Sequence, residues 1–309
     1  MLFLLPAATV ALALSPGANV LCVGSGPIML LSAKLAALKG YTTTCAAPPS
    51  DCEMANQIVY NDLHKEGDIP LSFLPIAGPD ASAEAIEAAV NAAEGLIVAI
   101  DDERAITGAA LNVFMPEEGN KLERVAMMSR YLNGNGMGFF PNAAKVAANS
   151  DIWAANEKAV AGYRESEETL VQRAKTVGSE YTVIRAGTLK GGGTGSALEE
   201  EGGGCDRFLS TEFYKYGQQD VVNWRLLYDC SALGVKLAAG DTFSGPGFTA
   251  ALTATDKCGN GDSHRGAVAA ALVESLSIKD AANGDYSVGS VEGKTFPSEE
   301  AWSSLFTAA

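Results

Sequence analysis

The sequence predicts a doubly wound α/β protein, with helices on both faces of a parallel sheet and a small C-terminal lobe. Three observations support this fold class. Short apolar segments alternate with helical segments over most of the first 190 residues. A glycine-containing turn, Gly24 to Ile28, joins the first apolar segment to the first helical one. The chain has 309 residues, 47% of them hydrophobic, which is enough for a full globular core.

Residue composition and prolines predict the first strand, the first helix and the second strand. Asn19 to Gly24 is a short apolar run with β-branched residues, which indicates a buried strand. Pro27 to Leu38 is rich in alanine and leucine and opens with proline, which suits the first turn of a helix. Tyr41 to Ala46 is a second strand, and Pro48-Pro49 ends it.

The later elements repeat this alternation. The predicted strands are Leu71–Ile76, Gly95–Ile100, Leu122–Ser129 and Tyr181–Arg185, and the predicted helices are Ser82–Glu94 and Ile152–Ala174. Parallel strands joined by helices bind ligands at their carboxyl ends, where the strand order switches. The acidic run Asp101-Asp102-Glu103 follows one such end, and we interpret it as a solvated loop.

The chain divides into three parts. Residues 1–18 form an apolar N-terminal segment, 19–190 the α/β domain, and 191–309 a C-terminal lobe packed on the same domain. The lobe opens with an acidic, glycine-rich loop around Glu199 to Glu201. Helices are predicted at Thr211 to Gly234 and Gly266 to Leu276. Met1 to Leu14 is uncharged and shorter than a membrane-spanning helix, so it is either a targeting remnant or a docking segment.

Charge and composition exclude several function classes. The net charge of −15 argues against nucleic-acid binding, which needs clustered lysine and arginine. The six cysteines form no Cys-x-x-Cys motif and the two histidines lie far apart in sequence, so we expect no metal site. The sequence is compatible with a disulfide between Cys45 and Cys52 as well as with free thiols.

The order of elements resembles the atypical and extended short-chain dehydrogenases/reductases, which include NmrA-like regulators and many plastid proteins. Tyr181 to Gly187 (YTVIRAG) is similar to a strand and loop of these families. Val125 to Ser129 is similar to their fifth strand, which carries an active-site serine. The resemblance implies a Rossmann fold that binds NAD(P), and the run Tyr181 to Gly193 also resembles algal chloroplast members.

The nucleotide loop departs from the family pattern. The resemblance implies cofactor binding by Gly24, Ser25, Gly26, Pro27 and Ile28, but a bulky residue stands where the pattern has its third glycine. Pro27 also removes one backbone N–H from the helix end that would bind phosphate. An ordinary strand–helix turn is therefore an equal alternative, and we expect no cofactor, or NADP(H) bound weakly.

Two further departures concern ribose selection and chemistry. Near the end of the second strand, Asp51 follows two prolines and is a poor substitute for the ribose-binding acid of the family. The resemblance implies Ser129 and Tyr163 as catalytic candidates, yet none of the nine tyrosines has lysine four residues later. Tyr163 has Glu167 there, a charge that raises the pKa of a phenol. In an alignment of the helix from Glu168, Arg164 takes the place of the lysine, but Val160 then takes the place of the tyrosine. The pair of Ser129 and Tyr163 is also explained as hydrogen-bonded core or surface residues, and we expect Arg185 to be a structural ion-pair partner.

These departures favour a non-catalytic member of the fold. We expect an accessory subunit, scaffold or assembly factor of a larger complex, which by resemblance is a photosynthetic membrane complex of the chloroplast thylakoid or stroma. Its partners would be protein subunits, with residues 1–18 available for contact with a membrane protein. The alternatives are an NADPH-dependent oxidoreductase and a redox sensor that binds dinucleotide without turnover.

Overall fold

The computed structural model describes residues 13–60, 65–100, 106–131, 157–190, 232–243, 262–293 and 295–309. The strands are β1 (Asn19–Ser25), β2 (Thr42–Ala47), β3 (Leu71–Pro75), β4 (Gly95–Ile100), β5 (Arg124–Arg130), β6 (Glu180–Ala186), β7 (Thr188–Lys190), β8 (Gly234–Ala239), β9 (Asp262–His264) and β10 (Gly284–Val291). The helices are α1 (Pro27–Leu38), α2 (Pro49–Ile58), α3 (Ala83–Ala92), α4 (Gly108–Phe114), α5 (Glu157–Val177), α6 (Arg265–Ser275) and α7 (Glu299–Ala308), with a 3₁₀ turn at Lys279–Ala281.

Eight strands form one sheet in the order β3-β2-β1-β4-β5-β6-β10-β8. All neighbours are parallel except β10 and β8, which are antiparallel. The chain leaves β1 for β2 and β3 on one side and returns to β4 on the other, so the strand order switches between β1 and β4. This arrangement confirms the predicted doubly wound fold class and places the ligand side at the carboxyl ends of these two strands.

Two apolar layers cover the sheet. On one face, Cys22, Cys45 and Ile97 pack with α1, α2, α6 and α7. On the other face, Val98 and Met127 pack with α3, α4 and α5. Because side chains alternate along a strand, neighbouring residues of one strand belong to opposite layers. All eleven residues of α6 are buried, so this helix is an internal part of the first layer.

Polar side chains at the helix starts satisfy backbone N–H groups. Ser82, Thr107 and Ser298 each accept a hydrogen bond from the amide three residues later, at 3.2–3.3 Å. His264 plays the same part for α6, since its Nδ1 accepts from the Gly266 amide at 3.0 Å.

The described residues after 190 extend the same sheet. β8 and β10 are its last two strands, and β9 pairs with β7 in a separate two-stranded sheet. Three predicted features lie outside the described residues: segment 1–12, the run Asp101 to Glu103, and the glycine-rich loop with most of the helix predicted from Thr211. Gly234, the last residue of that predicted helix, is the first residue of β8. Among the helices that the structure describes, none has the length and apolar character to cross a bilayer.

Candidate functional site

The turn between β1 and α1 requires glycine at Gly24. Its φ is +140°, a conformation that other residues rarely adopt, and it lies against the backbone of β4. A Cβ added there would lie 1.8 Å from the carbonyl oxygen of Ala99. Gly24 therefore allows β1 and β4 to approach each other closely at their carboxyl ends.

The rest of the predicted loop leads directly into α1. Gly26 has a φ of +84° and precedes the helix, and Pro27 is its first residue. Ser25, Gly26 and Pro27 are half-buried, whereas Ile28 is completely buried beneath the loop. Pro27 has no N–H, so the amides after it are the first that the helix end could present to an anion.

A carboxylate already lies at this helix end. The amide of Gly26 donates a hydrogen bond to Oδ2 of Asp51 at 3.2 Å. Asp51 lies in the first turn of α2, the helix that follows β2 and begins at Pro49. The chain turns at the start of α2 toward the loop between β1 and α1, so Asp51 borders that loop although it lies beyond the end of β2.

The loop does not fit the pyrophosphate that the fold family binds. One of its amides is bonded to Asp51, the next residue is proline, and segments 24–31 and 42–53 contain neither lysine nor arginine. A phosphate placed here would face a carboxylate instead of a cation, and the two charges would repel each other. The five residues predicted to bind the cofactor form one continuous turn between β1 and α1, and the charge around this turn disfavours phosphate.

Ser129 lies near the end of β5, on the face of the sheet covered by α5. It alternates with Met128, and it follows Val125 and Met127, which pack against the buried side chains of α5. The side chain of Ser129 is completely buried, and its Oγ has no hydrogen-bond partner in the described part of the chain. A buried hydroxyl without a partner is costly, so it marks a candidate ligand contact.

Tyr163 belongs to the same layer but is not hydrogen-bonded to Ser129. It is buried on α5, seven residues before Leu170, which packs on this face of the sheet. Because Ser129 Oγ has no partner, a hydrogen bond between the two hydroxyls is excluded. The structure brings the two candidates to one layer, and the interpretation as a hydrogen-bonded pair is wrong.

The position where the family has its catalytic lysine carries a neutralised carboxylate. Glu167 lies one helical turn after Tyr163, and its two oxygens accept from Nε and Nη2 of Arg185 at 3.0 and 2.8 Å. Arg185 lies on β6 directly opposite Ser129, and its Nη1 contacts Asp285. Arg185 is therefore an ion-pair partner, as expected, and it faces two carboxylates.

The charge of this cluster opposes proton donation by a nearby phenol. Burial alone disfavours the charged form of Arg185, but the hydrogen bonds that it donates to Glu167 and Asp285 outweigh burial and raise the pKa of Arg185 above its ordinary value. The guanidinium is permanently charged and bound to both carboxylates, which leaves the cluster with a net charge of −1. A lysine beside tyrosine lowers the pKa of the phenol, and this cluster lacks the uncompensated positive charge needed to do so.

Metal and thiol chemistry gain no support from the described residues. No group of three or more His, Cys, Asp or Glu side chains within them is arranged to bind a metal ion. Cys22, Cys45 and Cys52 are free thiols, so the structure does not contain a Cys45–Cys52 disulfide. Burial raises the pKa of the Cys45 and Cys52 thiols, which lowers their reactivity.

Sequence reasoning undervalued two features of this site. Asp51 follows two prolines, which indicate the end of β2, but proline is also common as the first residue of a helix, and α2 begins at Pro49. The bond between Glu167 and Arg185 joins residues 18 positions apart on different elements. Their opposite charges are the only signal in the sequence, and the packing of α5 on β6 brings the two side chains together.

Comparison with known proteins supports the fold. The sequence matches no protein-family model, and no curated protein gives a significant match. Among solved structures, Gre2 from Candida albicans in complex with NADPH is 10% identical with a TM-score of 0.50, over 89% of this chain and 78% of that chain. The oxidoreductase ylbE from Lactococcus lactis is 14% identical with a TM-score of 0.49, over 94% of this chain and 95% of that chain. At such identity a likeness shows the fold alone, and the chain has a Rossmann-like fold with a mostly parallel sheet flanked by helices.

Proposed function

We propose that the chain is a non-catalytic protein with the fold of short-chain dehydrogenases/reductases, acting as an accessory subunit, scaffold or assembly factor of a larger complex. The observation that carries this proposal is the pairing of Glu167 with Arg185. The position four residues after Tyr163 holds a carboxylate, Glu167, and the arginine paired with it, Arg185, also contacts Asp285. Ser129 alone has no means of transferring a proton at neutral pH.

The nucleotide loop supports the same proposal. The structure of Gre2 from Candida albicans contains NADPH, and this chain shares its fold. We propose that NADP(H) binds here only weakly, because Asp51 occupies a loop amide and adds negative charge. Were the cofactor bound, it would supply hydride chemistry, and the loop from Gly24 to Ile28 would hold it.

A groove between α3 and α4 is the contact surface we propose for a partner subunit. It has a volume of about 610 Å³. Its lining combines apolar side chains with acidic ones at the rim: Ile86, Val90, Val113, Pro116, Glu87 and Glu118. Val113 is 57% exposed, which is high for a large apolar side chain. The acidic rim on a chain of net charge −15 favours a partner segment with apolar and basic side chains over a second copy.

The compartment and the host complex are proposals that rest on sequence resemblance. The run Tyr181 to Gly193 resembles algal chloroplast proteins, so we propose a chloroplast location and a photosynthetic membrane complex as host. Residues 1–18 would add an apolar contact to a membrane protein.

Native electrophoresis of a mild detergent extract tests the accessory role. A tagged chain expressed in its source organism should migrate in an assembly well above its own 32.0 kDa. Migration at the monomer mass would contradict the proposal. The replacement Val113→Asp should release the chain from that assembly, because it introduces a charge into an apolar groove.

The alternative function is an NADPH-dependent oxidoreductase or a dinucleotide-binding redox sensor. The hydroxyl of Ser129 favours it, since a completely buried group without a partner suits contact with a ligand. Titration with NADH and NADPH separates the alternatives. Binding with turnover indicates the enzyme, and binding without turnover indicates the sensor.

A further inference from the structure

We infer that Asp51 is an internal substitute for the cofactor phosphate and keeps the affinity of the site for dinucleotides low. This inference rests on the proposed function, since it explains how a non-catalytic member keeps the loop without a cofactor. It gives Asp51 the opposite role to that of a ribose-binding acid, which would increase affinity for NAD(H).

The carboxylate of Asp51 lies beside the start of α1. Asp51 lies in the first turn of α2, and its Oδ2 accepts from the amide that precedes α1. Amides at helix starts lack intrahelical partners and carry partial positive charge, so a helix N-terminus favours an anion. Asp51 is an acidic residue in the first turn of α2, and the Gly26 amide at the start of α1 donates to it. The anion that both helix ends favour is already part of the chain.

The loop and the segment that leads into α2 contain no basic residue. Segments 24–31 and 42–53, which form the loop, its helix start and the end of β2, contain neither lysine nor arginine. A pyrophosphate entering this corner would approach Asp51 and would have to displace its bond to Gly26. The repulsion between a phosphate and one carboxylate beside it, at a site open to water, weakens dinucleotide binding by about tenfold.

Few backbone N–H donors remain available to a phosphate at the start of α1. Pro27 removes the amide after Gly26, and Ile28 and Met29 are completely buried side chains at the base of the helix. A phosphate could still reach the amides of the first turn, but only beside Asp51. Neutralising Asp51 should therefore increase dinucleotide affinity without changing any other group.

Titration calorimetry with NADH and NADPH tests the inference on the full chain. Asp51→Asn keeps the size of the side chain and removes its charge, and we expect both dinucleotides to bind about tenfold more tightly. Glu53→Gln is the matched control, because it removes one exposed charge from the same helix without touching the loop. Its effect should stay below about twofold. Asp51→Glu retains the charge and should give no gain in affinity.

The outcomes separate this inference from the proposed function. Weaker NADH binding by Asp51→Asn would overturn the inference, because it would show that Asp51 binds the ribose. An equal gain in Asp51→Asn and Glu53→Gln would also overturn it, since the effect would then be general charge. Circular dichroism of each variant verifies folding. Turnover of NADH or NADPH, measured in the same samples, would instead refute the non-catalytic role and leave the affinity result intact.

Discussion

Glu167 lies where short-chain dehydrogenases/reductases have a catalytic lysine, and replacing it tests whether this position forms a buried ion pair in the chain. Glu167 and Arg185 have side chains only 12% and 11% exposed, and two hydrogen bonds of 3.0 and 2.8 Å join them. Glu167→Gln keeps the shape of the side chain but removes its negative charge. The Arg185 guanidinium then loses one of its two carboxylate partners and one charge-assisted hydrogen bond. We expect a loss of about 2 kcal/mol, below the range for a fully broken buried pair, because Asp285 still contacts Arg185.

The matched control is Glu117→Gln. Glu117 also pairs with an arginine, Arg173, at 2.7 Å, but its side chain is 63% exposed. A pair this exposed contributes about 0.5 kcal/mol or less, because water screens it. Urea denaturation with a common slope measures both variants. Equal losses in the two variants, or no loss in Glu167→Gln, would refute the assignment of Glu167 to a buried ion pair.

Two further predictions concern the packing of β1 and the proposed partner groove. Gly24→Ala should destabilise the protein by about 3 kcal/mol or more, because the new methyl group meets the Ala99 carbonyl, whereas Gly17→Ala has no such contact and should cost about 1 kcal/mol. Thermal denaturation compares the two, and similar midpoints would show that β1 and β4 are not in close contact there. Val113→Asp should shift the chain from its native assembly to the monomer position, while Val291→Asp, at the other exposed large apolar residue of the described chain, should not. Release by both variants would contradict the groove as the specific contact.

The fold was largely predictable because its signals are local. The start of α1 at Pro27 and the strand Gly95 to Ile100 agree with the sequence prediction to the residue. α2 was missed because Pro48-Pro49 was interpreted as the end of a strand, although the second proline is also the first residue of a helix. α4 has seven residues and β7 has three, and segments this short carry little periodicity.

The site was predictable only as separate pieces. Ser129 and Tyr163 could be located by their elements, but the sequence does not show that Ser129 lacks a partner. That property depends on how α5 packs over β5. The contact between Asp51 and Gly26 depends in turn on the direction in which α2 leaves β2. The sequence shows which positions carry a charged side chain. It does not show which group each of these side chains contacts in the fold.

Turnover by the purified chain and its Tyr163→Phe variant tests the central claim most directly. The measurement follows NADH and NADPH absorbance with a mixture of aldehydes and ketones as acceptors. We expect the same background rate for both proteins, because the position four residues after Tyr163 holds Glu167, whose charge is paired with Arg185. A rate above background that Tyr163→Phe abolishes would contradict it and establish a catalytic tyrosine.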